Sequence, residues 1–414
     1  MKKLKHIFSP RHILIYLSIL VLLVFSPQIK KPSMSETYAL VTMMCVDKSE
    51  EGVQIVSSVL APSSGQTFNY QFYSSTGETI GDAVEKMALS IGKEMGFSQC
   101  EIMAFGDGIC EDGILPVMDF MTRTKKISRN AILINFGGDI KDFADCVETI
   151  TKEKQLKLEN MINYDRRYIL SKNSNIDTFY KGYYSEISFG LMPKLSVTKT
   201  ESENVIQVGA KGESDSSESS SSSSGQSSSD SEKLFLLNDG TTSAFKKGKK
   251  TVEIMPDQVK KLNIFVDNNF EGTIIVDDVN DEIYNHAKIV FDVTKSKLKR
   301  KLSFEDGKPK IEFELSLTVF IEEVYEKTPG DEFLVRNKDF LTNAAVDKLV
   351  EKVETDANKT VAYCRENNLD VAKIYQTFYR KKYKEFKPFI DKVGLDNYLN
   401  EIDVSVKVKI SSSY

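Results

Sequence analysis

A sustained alternation of apolar and polar residues near the C-terminus constrains the fold of this chain more than any other feature. The apolar positions are Ile289, Phe291 and Val293, and then Ile311, Phe313, Leu315, Leu317 and Val319. The two runs flank Asp306-Gly307, a dipeptide typical of hairpin turns. Basic residues occupy every second position before the turn: Lys295, Lys297, Lys299 and Lys301. The pattern predicts a long antiparallel hairpin with one buried face and one solvated, basic face.

Two helices and a closing strand are predicted after this hairpin. The first helix covers 339–364, with an apolar stripe at helical spacing: Leu341, Ala345, Leu349, Val353 and Ala357. The second helix runs through Ile374, Phe378 and Phe386. Residues 402–410 alternate again and are expected to complete the same sheet. Residues 256–414 are therefore predicted to form an α+β domain in which an antiparallel sheet packs with long helices.

The N-terminal half begins with three predicted strands. The segments ETYALVTMMCVD (36–47) and GVQIVSSVLAP (52–62) are strand-like runs joined by a short polar turn, which is typical of a hairpin. A third strand is expected at 67–73. With the elements that follow it, this region predicts an N-terminal α/β domain over 35–177, a mixed sheet with helices.

A β-α-β unit is predicted next in this domain. Thr79 and Asp82 begin a helix in a pattern that resembles a capping box. Two short apolar strands, 100–105 and 131–136, are separated by a predicted helix over 109–121. Strands joined by a helical crossover are expected to run parallel.

A small β-rich middle region is predicted over 178–255. Its strand-like runs are YYSEISFGLMP (183–193) and ENVIQVGAKG (203–212). Between them and the C-terminal domain lies a serine-rich, acidic tract at 213–232. Such a tract buries too little apolar surface to offset its ordering entropy, so a flexible, disordered loop is expected there.

The N-terminus, residues 1–34, predicts a membrane anchor or uncleaved signal. No residue from His12 to Ile29 carries a full charge, and Pro27 lies where a cleavage site would need a flexible backbone. More basic residues precede the uncharged run than follow it: Lys2, Lys3, Lys5 and Arg11 come before it, and Lys30 and Lys31 come after it. We therefore expect a retained transmembrane helix with the N-terminus in the cytoplasm and the rest of the chain extracytoplasmic.

Composition argues against several classes of function. The net charge of -5 on 414 residues gives no global attraction for nucleic acid, and no nucleic-acid partner is expected. Five widely spaced cysteines lack a zinc-site spacing and are expected to be buried small hydrophobes. They are Cys45, Cys100, Cys110, Cys146 and Cys364. His286 is the one histidine outside the N-terminal segment, and it is expected to be a plain surface residue.

None of the sequence motifs indicates a catalytic or ligand-binding site. The loop FGDGICEDG gathers Asp107, Glu111 and Asp112, but its spacing does not match a calcium loop. Acids at a helix start also complement the helix dipole, and that interpretation is favoured over a metal site. Gly137-Gly138 is not a phosphate-binding pattern. The sequence therefore predicts no catalytic, cofactor-binding or metal-ligating residue, no cofactor and no enzymatic activity.

The order of motifs resembles one known family, the C subunits of nutrient germinant receptors in endospore-forming bacteria, of the Ger(x)C or GerAC type. The resemblance rests on five stretches that together span most of 35–410. They are SETYALVTMMCVDKSEEGVQIVSSVLAP, YSSTGETIGDAVEKMALSIGKEMGFSQCEIMAFGDGICEDGILPVMDFMTR, TSAFKKGKKTVEIMPDQVKKLNIFVDN, GKPKIEFELSLTVFIEE and IDVSVKVKI.

This resemblance implies a non-enzymatic subunit at the spore inner membrane that works in germination beside integral membrane A- and B-type receptor subunits. The family is normally a lipoprotein, with a lipidated cysteine at the end of its signal segment. Here no cysteine comes directly after LVLLVFS, and KPSMSE stands in place of the family's aromatic-Asp motif. A retained helix is therefore expected to replace the lipid anchor, and the serine tract is expected to be a loop insertion.

Two other functions stay open from the sequence. The chain is alternatively an extracytoplasmic sensor or binding module that holds a small ligand itself, in which case a sizeable apolar pocket with converging polar groups is expected. An anchored hydrolase would instead need a pair of carboxylates in different environments at a cleft. No spacing in the sequence singles out such a pair.

Overall fold

Two β-sheets, each packed with helices, organise the chain in its computed structural model. The first sheet has 10 strands and the second has five. The predicted α+β class is confirmed. The structure describes residues 14–18, 38–61, 69–152, 158–163, 174–200, 233–266, 270, 272–327, 333–335 and 340–412.

The first sheet is mixed and contains both units predicted for the N-terminal half. Its strands are β1 Tyr38–Ser49, β2 Gly52–Ala61, β3 Asn69–Gly77, β4 Glu94–Gly96, β5 Ile102–Gly106, β6 Ile132–Gly137, β7 Phe189–Thr200, β8 Lys233–Leu237, β9 Thr242–Lys246 and β10 Lys249–Ile254. The order is β10-β9-β7-β6-β5-β1-β2-β3, with β4 beside β1 and β8 beside β7. The antiparallel β1–β2 hairpin and the parallel β5–β6 pair confirm two predictions.

Helices cover both faces of this sheet. They are α1 Ile80–Ile91, α2 Asp107–Asp112, α3 Leu115–Arg123, α4 Ile140–Lys152, α5 Leu158–Asn163 and α6 Ile176–Tyr183. Alternate residues of β5 point to opposite faces, so Met103 and Ile102 belong to different apolar clusters. The cluster around Met103 contains residues of α1, α2, α3 and α6, and the cluster around Ile102 contains residues of α4 and α5.

The starts and ends of these helices show where local sequence was informative. The Thr79 hydroxyl accepts a hydrogen bond from the Asp82 amide over 3.2 Å, so the predicted cap of α1 is confirmed. The prediction of one helix over 109–121 is wrong. Gly113 has a φ of 120°, which ends α2, and Pro116 lies in the first turn of α3.

The β-rich middle region extends the first sheet. Strand β7 pairs in parallel with β6, where Asn135 lies opposite Lys194. β7 also pairs with β8 and β9, and β9 pairs with β10. The predicted boundary after residue 177 therefore falls within one continuous sheet, and the domain limits themselves stay predictions. The run at 203–212 and the serine tract at 213–232 lie outside the described residues.

The second sheet is built on the predicted long hairpin. Its strands are β11 Gly272–Val279, β12 Ala287–Glu305, β13 Lys308–Lys327, β14 Phe333–Val335 and β15 Asp403–Ser412. β12 and β13 pair antiparallel from Lys288 and Tyr325 down to the turn at Asp306-Gly307, which confirms the hairpin. β15 joins the same sheet, as expected, but it runs parallel to β13. The predicted antiparallel sheet is present in β11 to β14, and β15 alone departs from it, because α-helical crossovers return the last strand in the same direction as β13.

Five helices accompany the second sheet: α7 Pro256–Val266, α8 Asn343–Glu366, α9 Ile374–Lys381, α10 Tyr383–Val393 and α11 Tyr398–Glu401. Most of the predicted stripe of α8 is buried, at Ala345, Leu349, Val353 and Ala357. The predicted second helix is interrupted at Lys382, which ends α9 and begins α10. Phe378 and Phe386 remain buried on either side of the break, so both short helices pack on the same face of the sheet.

The predicted N-terminal anchor falls almost entirely outside the described residues. Residues 14–18 are helical and exposed. Within the ranges that the structure describes, no helix combines the length and apolar composition needed to cross a bilayer.

Candidate functional site

Four charged side chains meet beside the ends of β5 and β6. We call Asp107, Lys194, Lys250 and Glu253 the four-charge cluster. Lys194 Nζ lies 3.0 Å from Asp107 Oδ2 and 2.5 Å from Glu253 Oε1. Lys250 Nζ lies 2.5 Å from Asp107 Oδ1 and 3.0 Å from Glu253 Oε1. Each ammonium therefore joins both carboxylates, which ties α2, β7 and β10 together.

Because their lysines are nearly buried, these ion pairs are expected to contribute more to stability than exposed ion pairs do. The side chains of Lys194 and Lys250 are only 10% and 9% exposed. Burial alone would raise the pKa of Asp107, but hydrogen bonds from Lys250 and Lys194 outweigh it and lower the pKa. The pKa of Glu253 is lowered for the same reason. Both acids are therefore held as carboxylates at neutral pH, which suits a structural clamp better than proton transfer.

Asp47, at the end of β1, supplies the cap of α2. Its Oδ1 accepts hydrogen bonds from the amides of Lys48 at 2.8 Å and Ile109 at 3.1 Å. Partial burial raises the pKa of Asp47, and the nearby Asp107 carboxylate adds to the rise. A Cβ at Gly106 would lie 2.1 Å from the Asp47 carboxyl carbon, so Gly106 leaves room for this contact. No local pattern indicates this cap, because Asp47 lies 62 residues before Ile109, whose amide it accepts from.

The predicted acidic loop is divided between the two ends of α2, with Asp107 at the helix start as expected and Glu111 and Asp112 at its end. Asp107 lies in the first turn of α2, where it contacts lysines instead of the helix amides. Asp112 pairs with Lys48 at 2.6 Å, and Glu111 lies 3.8 Å from Lys250. In the part of the chain that the structure describes, no three potential ligands are grouped to hold a metal ion.

A buried hydrogen-bond network underlies the four-charge cluster. Asn135 on β6 donates to the Phe105 carbonyl at 2.9 Å and accepts from the Ser243 hydroxyl at 2.7 Å. Both side chains are fully buried. The network fixes the register of β5, β6 and β9 beneath the charges.

The cysteines and His286 lie where the sequence predicted. Cys45, Cys100, Cys110 and Cys146 are buried, Cys364 is half-buried, and all five are free thiols. Burial raises the pKa of Cys100 to about 12 and that of Cys146 to about 11, which suppresses thiolate formation. His286 is exposed, and its Nδ1 lies 2.6 Å from Asp278 Oδ1.

An apolar cluster joins the two sheets. Ala244 and Ile254 from the first sheet pack with Val259 and Leu262 of α7 and with Leu369 and Val371, which follow α8. At the edge of this contact, Lys246 Nζ lies 2.6 Å from Asp396 Oδ1. This shared apolar core packs the N- and C-terminal parts of the chain against each other.

A small cavity lies behind this cluster, beside the buried Asp370. Its volume is about 30 Å³, and its lining includes Leu262, Phe313 and Asp370. This is room for about one or two water molecules, so the cavity gives no support to a nutrient-sized ligand. Asp370 accepts hydrogen bonds from the amides of Ile374 at 2.6 Å and Tyr375 at 2.9 Å, and it thereby caps α9.

The predicted basic face of the long hairpin is present. Lys295, Lys297, Lys299 and Lys301 are all exposed, on the side of β12 opposite the helices. Glu312 and Glu314 on β13 partly neutralise them, since both contact Lys301. Lys407 on β15 also pairs with Glu312 at 2.6 Å. This face is therefore a mixed charged surface with an excess of lysine.

Comparison with known proteins assigns both parts of the chain to spore germination. Residues 34–197 match the family model described as spore germination protein N-terminal domain. Residues 241–413 match the model described as spore germination B3/GerAC like, C-terminal. A solved structure described as the crystal structure of the GerBC protein is similar in fold, with a TM-score of 0.50 and 12% sequence identity. The match covers 90% of this chain and 97% of that one. A search of curated proteins gives no match.

Proposed function

This chain belongs to the spore germination GerAC family, the C subunits of germinant receptors, and we propose that it is a membrane-anchored, extracytoplasmic receptor subunit. In this proposal it acts by contact with integral membrane A- and B-type subunits. The observation that carries the proposal is the order of the two family matches, 34–197 and then 241–413, on one chain. The similar fold of GerBC over most of both chains supports the same architecture.

The N-terminal segment supports the proposed membrane anchorage. Its uncharged run from His12 to Ile29 follows a strongly basic leader. A retained helix of this kind holds a protein at a membrane more firmly than a single acyl chain does. The same charge distribution supports an extracytoplasmic position for both sheets.

We further propose that the subunit has no turnover of its own. The four-charge cluster supports this part of the proposal, because the Asp107 and Glu253 carboxylates are each engaged by two lysines. Carboxylates held in their ionised form by fixed cations are poor general acids. The subunit would instead transmit or stabilise a state of its membrane partners.

Affinity capture from native spore membranes tests the proposal. A tag placed after Tyr414 would leave the N-terminal segment untouched, and the detergent-solubilised chain should co-purify with integral membrane A- and B-type subunits. Intact-mass analysis of the same sample would establish whether residues 1–34 are retained. Recovery of the chain without any integral membrane subunit would contradict the partner proposal. A truncated mass beginning near Pro27 would contradict the anchor alone.

A genetic test separates a role in the nutrient receptor from a general role in germination. Deleting the gene should abolish nutrient-triggered germination, while germination by a receptor-independent chemical trigger should persist. Replacing Leu89, an exposed residue of α1, with Ala should leave both behaviours unchanged. Loss of both types of germination on deletion would contradict a role confined to the receptor.

A further inference from the structure

The corner between α9 and α10 presents an exposed basic and aromatic patch. We call Tyr379, Arg380, Lys381, Tyr383 and Lys384 the basic-aromatic corner. Tyr379 is 40% exposed and Tyr383 is 45% exposed, and the three cations are exposed as well. Residues 379–387 contain five basic residues and one acidic residue, a local net charge of +4 on a chain with a net charge of -5. The corner is therefore a strong positive centre on an otherwise mildly acidic protein.

Neighbouring acids leave most of this charge uncompensated. Lys382 lies 3.8 Å from Glu385, and Lys387 lies 3.1 Å from Asp391. Glu186, between α6 and β7, accepts a hydrogen bond from the Tyr379 hydroxyl. Across the described ranges, Arg380, Lys381 and Lys384 form no ion pair of this kind. These three side chains are free to meet an external anion.

Packing beneath the corner holds it in a fixed shape. Phe378 and Phe386 are buried and stack with ring centroids 5.0 Å apart, which joins α9 to α10 across the break at Lys382. Tyr375 stacks on Tyr379 at 5.7 Å. Tyr379 in turn meets Tyr383 edge to face at 5.0 Å. A continuous chain of rings thus connects the hydrophobic core to the two exposed tyrosines, so little ordering entropy remains to be lost on docking.

We propose that the basic-aromatic corner docks on anionic lipid headgroups. Clusters of lysine and arginine are attracted to anionic bilayer surfaces, and tyrosine rings favour the membrane–water interface, where one end is apolar and the other is hydrated. The corner combines both features within six consecutive residues, 379–384. The surface potential decays within a Debye length, so contact requires an exposed patch of this kind.

The other basic surface of this domain is a weaker candidate. The lysines of β12 lie on the opposite side of the second sheet from α9 and α10, so the two surfaces cannot rest on the same flat bilayer. Glu312 and Glu314 both contact Lys301 of the hairpin, whereas Glu385 and Glu186 at the corner contact Lys382 and Tyr379 and leave Arg380, Lys381 and Lys384 without an ion pair among the described residues. Charge complementarity therefore favours the corner.

A nucleic acid would also be attracted by these cations, but the tyrosines are poorly arranged for it. Stacking of bases needs an open ring face. One face of Tyr379 already packs on Tyr375, and Tyr383 packs against Tyr379. A lipid headgroup region needs only the exposed ring edges, so the hydrogen bond from the Tyr379 hydroxyl to Glu186 does not prevent docking. The lipid proposal stands on this surface and does not depend on the receptor role.

A single-tryptophan reporter in the full chain tests the proposal, because the chain contains no tryptophan. The Tyr383→Trp variant would be mixed with vesicles of phosphatidylglycerol and phosphatidylcholine, and separately with vesicles of phosphatidylcholine alone. With the anionic lipid, we expect a blue-shifted emission and quenching by a headgroup-depth lipid quencher. Leu89→Trp, on α1, is the matched control and should show neither change, since Leu89 is 76% exposed and far from the corner in the sequence.

Neutralising three basic side chains of the corner is the second part of the experiment. Adding Arg380→Gln, Lys381→Gln and Lys384→Gln to the reporter should weaken docking about fivefold per side chain, and on the order of a hundredfold together. Equal emission in the two vesicle types, or docking that survives the triple substitution, would overturn the proposal. A response to an oligonucleotide that exceeds the response to anionic vesicles would overturn it in favour of a nucleic-acid partner.

A measurement on the unmodified chain covers the case in which the reporter fails to fold. Amide hydrogen exchange across 374–393 should slow with anionic vesicles and remain unchanged with neutral ones. Unchanged exchange in both would contradict lipid docking directly.

Discussion

The Asp47 carboxylate accepts a hydrogen bond from the Ile109 amide over 3.1 Å, and this contact joins the end of β1 to the start of α2. Gly106 and Gly108 make the contact feasible, because a Cβ at either position would lie within 3.1 Å of an Asp47 carboxyl atom. The glycines and the acid therefore form one unit. The acidic loop owes its shape to this unit and to the four-charge cluster.

Gly106→Ala should destabilise the fold through Asp47. Gly106 has a φ of -66°, which any residue adopts, so the cost is steric and comes from the Cβ that would lie 2.1 Å from the Asp47 carboxyl carbon. Displacing the cap and relieving the overlap should cost about 2 to 3 kcal/mol in the free energy of unfolding, measured by urea denaturation. Gly81→Ala is the control and should be neutral, since its Cβ would make only an ordinary contact at 3.4 Å.

A double-mutant cycle identifies the cause. In an Asp47→Ala background, Gly106→Ala should cost clearly less than it does alone, because the clashing carboxyl group is gone. Equal costs in both backgrounds would show that Gly106 is required for a reason unrelated to Asp47.

Lys194→Met should destabilise the first sheet by leaving Asp107 and Glu253 with one cation between them. Lys194 is nearly buried, but both acids are about one-third exposed and can be partly hydrated. We therefore expect a loss of about 1 to 3 kcal/mol in the free energy of unfolding, below the cost of breaking a fully buried pair. Lys301→Met removes an exposed lysine that also contacts two glutamates, and its effect should be smaller.

Adding Glu253→Gln to Lys194→Met should recover part of the lost stability, because it removes one under-compensated carboxylate. The comparison uses the midpoint and slope of the same denaturation curves. If the double variant is less stable than Lys194→Met, the cluster is held by packing of the aliphatic stems and not by charge balance.

Local patterns predicted the elements whose partners are close in sequence. The β1–β2 hairpin, the β12–β13 hairpin and the β5–β6 pair all depend on a short turn or a single crossover, so periodicity and turn residues are sufficient. The cap of α1 depends on Thr79 and Asp82, three positions apart. The wide spacing of the cysteines predicted free, buried side chains, and four of the five are buried while Cys364 is half-buried.

The missed features depend on residues that are distant in the sequence. The Asp47 cap acts across 62 positions, and the Lys194–Asp107 contact acts across 87. The pairing of β6 with β7 merges the middle region with the first sheet, and no local pattern specifies which edge a strand joins. The break at Lys382 was missed because Phe378 and Phe386 keep helical spacing across it.

Leu262→Ala should destabilise the contact between the two sheets. Leu262 is fully buried in the cluster shared by Ala244 and Leu369, and it also lines the cavity beside Asp370. Enlarging that cavity should lower the free energy of unfolding by about 2 to 4 kcal/mol. Leu395→Ala, at an exposed position, should change it little. A small effect of Leu262→Ala would indicate that the sheets are held together mainly by other contacts.

Asp370 should make the protein more stable at mildly acidic pH than at neutral pH. Burial raises the pKa of Asp370 from 3.8 to about 6, against the opposing hydrogen bond from the Ile374 amide and the nearby Arg300. The folded state therefore binds a proton more tightly than the unfolded state, and stability falls as pH rises from about 4 to about 6. The corresponding free energy is about 3 kcal/mol, since each pKa unit is worth 1.36 kcal/mol.

Asp370→Asn removes the titration but retains a side-chain oxygen to accept one of the two backbone hydrogen bonds. The difference in unfolding free energy between wild type and Asp370→Asn, measured from pH 4.5 to 7.5, should shift in favour of the variant as pH rises and level off above pH 6. Other titrating groups cancel in this difference, including the carboxylates of the four-charge cluster, whose lowered pKa values make their contribution to stability fall as pH falls. Arg300 is the cation that opposes the rise in the Asp370 pKa. Its buried Nε has no hydrogen-bond partner among the described residues, and desolvation lowers its own pKa. A flat difference across this range would mean that Arg300 fully compensates the Asp370 charge in the folded protein.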